Sequence, residues 1–404
     1  MTEKRLMKLA VGPESARMLE LGHPWVIADA YTKKWPAGKP GELAELVDGS
    51  GRFLALALVD PQDRVVARVL ARQRFRLDGT WLSGRFKAAL ALRSRHACLE
   101  GSTAWRLVNG EGDGLPGLTV DRYGDWLMVQ LYCEGWRPHL PLVTEALRSV
   151  TGAAGIYEKT RPRNTRELEA VSESTACGRL LWGRPAPPRL EILENGLTFL
   201  VSLEQGLNSG LFLDQRANRR DLMRRSSGQR VLNLFAYTGA FSVAAAMAGA
   251  ERVTSVDVSS SYTAWNRDNF SINRINPKRH EFIVGDCLES LAHLTRQGRH
   301  FDIVLMDPPS FSTTARGKFT TRGGTAALVA AALPLLDDNG LLISSSNHQK
   351  VDVADYLKEL RRGALQSGAD LRVISVAGQP EDFPCPVTFP EGRYLKYVTS
   401  VVAR

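Results

Sequence analysis

The sequence predicts an α/β protein. Its carboxy-terminal half carries a seven-stranded, doubly wound sheet, preceded by a small β-barrel and a small α+β domain. Three observations carry this prediction. From residue 186 to 404, near-continuous apolar runs alternate with helical stretches, as in a parallel sheet covered on both faces. Residues 1–75 hold only short apolar-rich runs broken by Gly, Pro and Asp turns. Residues 76–185 mix one long helical stretch with glycine-rich strand pairs. A length of 404 residues accommodates these three units.

In the first unit WVIADAY, GELAELVD, FLALALVD and VVARVLAR read as strands, with turns at 36–38, 48–49 and 60–61, so the unit reads as all-β. In the second, LSGRFKAALALRSRHA sets Leu82, Phe86, Ala89 and Leu92 on one helical face. WRLVNGEGDGLPGLTVDRYGDWLMVQLY then reads as strands joined by tight turns at Gly110, Gly112, Gly114 and Gly117. GIYEKTRPRNTRE follows, where Lys159, Arg161, Arg163 and Arg166 outnumber Glu158 and Glu167. The stiff, Pro-rich stretch 182–188 marks the next boundary. In the third unit VLNLFAY, ERVTSVDV, HEFIVGD, FDIVLMD and GLLISSS read as strands, each followed by a helix or a long loop. Only a loop joins LRVISVA to YLKYVTSVVA, so the last two strands are expected to pair antiparallel.

The chain is 44% hydrophobic and 24% charged, which excludes disorder as its main state. Its longest uncharged run, 231–250, is interrupted by Asn233, Tyr237, Thr238 and Gly239 and reads as strand, turn and helix, not as a membrane span. The first residues lack the apolar segment of a signal peptide. Lys and Arg number 52 against 43 Asp and Glu, a net charge of +9 that favours a polyanionic partner over a small neutral substrate. Cys98, Cys133, Cys177, Cys287 and Cys385 form no CxxC pair, so no metal site is expected, and they read as reduced thiols in a cytoplasm.

Four strand ends carry the chemistry. NLFAYTG at 233–239 holds one glycine, which disfavours a pyrophosphate loop; Gly239 can supply a tight turn beside a small cofactor tail. Asp257 ends the second strand and can accept from both hydroxyls of a ribose. Asp286 ends the third and can accept from an adenine amino group, although either acid also reads as a helix N-cap. DPPSF at 307–311 ends the fourth: two prolines, Pro308 among them, fix a turn that aims Asp307 into the cleft, and Phe311 offers a ring on which a base can stack.

These residues and several longer strings resemble the RlmI-like class I rRNA methyltransferases. The strings are GHPW at 22–25, NGEGDGLPG at 109–117, GLFLDQR at 210–216, NLFAYTG at 233–239, DPPSF at 307–311 and FPEGRYLK at 389–396. The resemblance covers nearly the whole chain. It implies a PUA RNA-binding domain (1–75), a small α+β domain (76–185) and a Rossmann-like catalytic domain (186–404). It also implies S-adenosyl-L-methionine as cofactor and 23S rRNA as substrate, with a homodimer open and no membrane partner. The cofactor-binding residues it implies are Gln215, Arg216, Asn233, Phe235, Tyr237, Gly239, Asp257, Asp286 and Asp307. Asp214, Gln215 and Arg216 would fold over the cofactor's methionine end. The basic run Arg219, Arg220, Arg224 and Arg225 reads as a solvated face or, beside an RNA cleft, as a set of phosphate contacts. His348 reads as a hydrogen-bonded structural residue or an acid–base group.

The sequence departs from the family in one place. Characterised members methylate cytosine at C5, which requires a cysteine thiolate to add to C6 first. In those members the cysteine follows strand five; here that strand reads GLLISSSNHQ, with Ser346 or Asn347 at the position. One reading is methylation of a base nitrogen, with Asp307, the nearby backbone carbonyl and Asn347 orienting the base. A second is cytosine-C5 chemistry using Cys385 from the loop between the last two strands. A third is an RNA-binding relative without activity.

Overall fold

The computed structural model describes residues 6–160, 175–309, 311–314 and 317–403, the side chains of 311–314 and 317–323 excepted. The amino-terminal unit is a five-stranded sheet of order β1 (Met7–Ala10), β3 (Leu43–Val47), β4 (Phe53–Val59), β5 (Val65–Ala71) and β2 (Trp25–Ile27). The alternation in β3 to β5 buries Ala44, Leu46, Ala55, Ala57, Ala67 and Val69 together. The unit is not all-β: α1 (Pro13–Glu20) packs against the sheet through Leu19. Pro13 at its first turn starts this helix, but one buried leucine gives it too little periodicity to be seen in the sequence.

In the middle unit β6 (Ala104–Asn109), β7 (Leu118–Tyr123), β8 (Trp126–Leu131), β9 (Gly155–Lys159) and β10 (Gly178–Gly183) form a second sheet in the order β10-β9-β8-β7-β6. Among the described residues two helices cover it, α2 (Gly79–His96) and α3 (Leu140–Thr151). The buried face of α2 is Leu82, Phe86, Ala89 and Arg93. The expected Leu92 gives way to an arginine, because the Arg93 guanidinium finds Asp113 Oδ2 at 2.8 Å and the carbonyl of Asp382 at 2.8 Å. Glu158 is buried against Arg179 and Arg137, and Lys159 donates to the carbonyls of Gln205 (3.1 Å) and Gly206 (2.9 Å), so both charges stand inside the protein. Arg161, Arg163, Arg166 and Glu167 lie outside the described residues.

A hairpin, β11 (Leu190–Glu194) and β12 (Leu197–Val201), leads into the carboxy-terminal unit. Its sheet comprises β13 (Arg230–Leu234), β14 (Arg252–Asp257), β15 (Glu281–Val284), β16 (Phe301–Met306), β19 (Leu336–Ser346), β20 (Asp370–Ala377) and β21 (Lys396–Ala403), in the order β15-β14-β13-β16-β19-β21-β20. The first five run parallel and β21 antiparallel between β19 and β20, as the loop-only connection predicts. Among the described residues six α-helices belong to this unit: α4 (Arg216–Arg225), α5 (Ala240–Met247), α6 (Ser260–Ile272), α7 (Cys287–Arg296), α8 (Thr321–Ala332) and α9 (Val353–Ser367). A small hairpin, β17 (Phe311–Thr314) and β18 (Gly317–Thr320), follows β16.

The three units share cores. Leu58 and Leu70 of the first sheet lie with Phe86, Leu107 and Trp136 of the second unit. Tyr123, Trp126 and Met128 lie with Phe199, Phe270 and Phe383 of the third. The loop between β20 and β21 is part of this junction: Trp25 meets Phe389 with ring centroids 4.6 Å apart, and the Trp25 indole N–H donates to Glu111 at 2.8 Å.

Candidate active site

Asp257, Asp286, Asp307 and Asn347 all stand at the carboxyl ends of parallel strands, the edge where open α/β sheets bind ligands. The segment leaving β13 is sharply turned, with positive φ at Phe235 (58°), Tyr237 (51°) and Gly239 (82°). A side chain at Gly239 would begin 1.8 Å from Asn266 Oδ1, so the α5 entrance requires glycine. The Tyr237 amide donates to Asp257 Oδ2 at 2.7 Å and the Ser259 amide to Oδ1 at 2.9 Å. Burial pushes the Asp257 carboxyl up, and the amide bonds pull against it. Asp286 caps α7, accepting from the amides of Leu288 (2.9 Å) and Glu289 (3.2 Å). The Tyr237 ring packs between Tyr262 (centroids 4.4 Å) and Phe212 (5.3 Å).

The second half of the site forms around Asp307. The Gln215 amide, 3% exposed, donates to Asp307 Oδ2 at 3.0 Å and to Ser345 Oγ at 2.9 Å. Asn218 in turn donates to Gln215 Oε1 at 2.5 Å, which fixes the amide's orientation. Burial, helped by the negative charge of Asp214, raises the Asp307 carboxyl to about 6 against the hydrogen bonds from Ser345 and Gln215. Asp214 accepts from the Tyr394 hydroxyl at 2.8 Å, and burial raises its carboxyl too. Pro308 is buried, and Asn347 stands exposed one residue beyond β19.

Other expected residues are placed elsewhere. Arg216 is 0% exposed and makes a two-pronged ion pair with Asp382 (2.9 and 2.5 Å), so its guanidinium is a brace between elements, not an offer to a cofactor. The Asn233 amide donates to Ser242 Oγ at 2.8 Å, behind the turn; its Oδ1 is buried without a protein partner among the described residues. The basic run is only in part a solvated face: Arg224 is exposed, but the others are engaged within the protein. Arg219 is buried on Glu194 (2.5 and 2.7 Å), Arg220 bonds Asn195 and Cys98, and Arg225 pairs with Asp221. Cys385 donates to the Phe389 carbonyl at 2.8 Å, and burial raises its thiol. His348 accepts from the Lys350 amide at 3.2 Å, and burial lowers its pKa. The Phe311 side chain lies outside the described residues.

Ser345 and Tyr394 were not singled out from the sequence. Three consecutive serines give no sign of which hydroxyl faces the cleft, and Tyr394 lies 180 residues from its partner Asp214.

The set of hydrogen-bond acceptors fits a nucleoside bearing no phosphate. It offers carboxylates at successive strand ends, and residues 231–250 contain no lysine or arginine to balance a diphosphate. The family model for S-adenosylmethionine-dependent methyltransferases matches residues 105–387. The chain belongs to the S-adenosylmethionine-dependent methyltransferase family. In this methyltransferase residues 9–72 match the model of a PUA-like domain. The chain is 32% identical over 391 residues to the ribosomal RNA large subunit methyltransferase I of Yersinia pseudotuberculosis, covering 96% of this chain and 97% of that protein, and equally similar to the Yersinia pestis protein of that name. Among solved structures it superposes on SMU.776, assigned as a methyltransferase and solved with SAH bound. The TM-score is 0.88 at 30% identity, covering 98% of this chain and all of the other. A second structure of an assigned SAM-dependent methyltransferase, from Streptococcus mutans, superposes with a TM-score of 0.84 at 30% identity, covering 98% and 100%. Among the described residues no helix is long and apolar enough to cross a membrane, and no group of three or more His, Cys, Asp or Glu is placed to hold a metal.

Proposed function

We propose that this methyltransferase modifies a base of large-subunit (23S) rRNA, and that the acceptor is a ring or exocyclic nitrogen. Residues 1–75 would bind RNA, 76–185 join the units, and 186–404 carry methyl transfer in a cytoplasmic setting; a second copy of the chain as partner is compatible with this division. The relatives' names and the PUA-like match support an rRNA substrate. The observation that carries the nitrogen reading is the strand-end pair: Asp307, held by Gln215, and Asn347, with no thiol at the end of β19.

S-adenosylmethionine, when bound, supplies an electrophilic methyl group. Asp257 would accept from the ribose hydroxyls and Asp286 from the adenine amine, while the Phe235–Gly239 turn lines the cofactor's body. Asp307, ionised above about pH 6, accepts a hydrogen bond from the base's N–H and so turns the nitrogen lone pair toward the methyl group. The Asn347 amide, with one donor group and one acceptor, fixes the base edge in the plane this requires. The nitrogen would attack the methyl carbon directly as that carbon's bond to the cofactor's sulfur breaks, and the proton the nitrogen loses would pass to Asp307, so no covalent enzyme adduct is needed.

The test is mass mapping of modified nucleosides in rRNA from a strain lacking the gene. Loss of one N-methylated base is the expected result; loss of 5-methylcytidine would replace this reading with the cytosine-C5 one.

A further inference from the structure

We infer that Lys396 is a positioning residue for methyl transfer: its buried amine ties the turn that carries Asn347 to the segment that holds Asp214 beside Gln215. This deepens the reading of Asn347 above and rests on it.

Lys396 opens β21, and its Cα sits in register with Ser346, the last residue of β19. The residue is 2% exposed. A lysine so deeply placed is ordinarily paired with a carboxylate. Among the described residues its hydrogen-bond partners are instead two carbonyls, His348 O at 2.6 Å and Tyr394 O at 2.7 Å. Those carbonyls belong to the two halves of the site. On one side, Asn347 is the single residue between Ser346, fixed by the strand register, and His348, fixed by the Lys396 amine. On the other side, the Tyr394 hydroxyl holds Asp214, the chain neighbour of Gln215, whose amide meets Asp307. One nitrogen therefore sets the spacing between the Asn347 backbone and the Gln215–Asp307 pair. Burial lowers the amine to about pKa 8 against the opposing pull of the Asp352 carboxylate, so the charge is costly where it stands. An apolar side chain would fill the space without that cost but could not join the carbonyls.

The test is a double-mutant cycle of Lys396→Met and Asn347→Ala. Tritium transfer from labelled S-adenosylmethionine to rRNA from the deletion strain gives kcat and KM, calorimetry gives cofactor affinity, and thermal melting gives the folded fraction. Each single variant is expected to lose about 20-fold or more in kcat while KM and cofactor affinity stay within about twofold, and the double variant to be no slower than Asn347→Ala. Losses that multiply in the double variant, or an unchanged kcat in folded Lys396→Met, overturn the inference. Full activity of Asn347→Ala instead overturns the reading on which it rests. Should Lys396→Met melt below the assay temperature, Lys396→Gln, which keeps one donor group in the slot, takes its place under the same criterion.

Discussion

The Gln215 amide donates to Asp307 across 92 residues of sequence, at 3.0 Å, and the same nitrogen reaches Ser345. This bond stabilises the ionised carboxyl, while burial and Asp214 oppose ionisation and leave it near 6. The ionised form is the acceptor the proposed chemistry uses. The acid limb of kcat/KM is therefore expected near pH 6 in the free enzyme, with activity falling below it. Gln215→Ala removes a hydrogen bond to the charged form, so the limb moves to higher pH. A pH–rate series on both proteins measures this. An acid limb unmoved in the variant would detach Gln215 from the titration of Asp307.

Asp257 accepts from the Tyr237 and Ser259 amides and so shapes the turn as well as facing the cleft. Asp257→Ala is expected to weaken S-adenosylmethionine binding by ~1.5–3 kcal/mol, about 10- to 150-fold, through loss of charge-assisted hydrogen bonds. Calorimetric titration checks this. Wild-type affinity in a folded variant would remove Asp257 from the pocket.

The Arg216–Asp382 pair joins α4 to the loop between β20 and β21, with both side chains at 0–1% exposure. Asp382 also accepts from the Arg106 amide at 2.8 Å. Asp382→Ala strands a buried guanidinium, so a loss of about 3–5 kcal/mol in unfolding free energy is expected. Urea denaturation followed by tryptophan fluorescence measures it. A loss under about 1 kcal/mol would mean that water reaches the guanidinium once the carboxylate is gone.

The carboxy-terminal sheet was legible because buried parallel strands read as continuous apolar runs and each ends on a polar residue. The strand-end positions of Asp257, Asp286 and Asp307 followed from that rule, and the antiparallel β21 from the length of a connection. What the sequence hid were long-range pairings. In α4 the buried set is Arg216, Asn218, Arg219 and Leu222, so a run read as solvated lies half inside. Its burial depends on Glu194 and Asp382, the latter 166 residues away. Arg93 displaced Leu92 for the same reason: an arginine can face inward when distant acceptors complete its hydrogen bonds, and helical period alone cannot announce them.

The last prediction concerns the atom that receives the methyl group. Methylation at C5 needs a thiolate against C6 of cytosine, and a hydroxyl or amide at the end of β19 is not ionised near neutral pH. Cys385 is the thiol in the loop joining the last two strands. Its Sγ is committed to the Phe389 carbonyl at 2.8 Å and lies under Gly392, where an added Cβ would begin 2.5 Å away. Burial raises the thiol, so less thiolate is present at neutral pH than for a free cysteine. Cys287 is buried at the start of α7, and burial raises it further still. Cys385→Ala is therefore expected to keep most of the activity, and Asn347→Ala and Asp307→Ala to lose most of it, by tritium transfer to rRNA. RNA carrying 5-fluorocytosine supplies the complementary measurement. A C5 enzyme is trapped on it, because fluorine cannot leave C5 as a proton does. No adduct is expected on a denaturing gel. A covalent adduct that disappears in Cys385→Ala would establish that the loop swings its thiol into the cleft and that carbon, not nitrogen, accepts the methyl group.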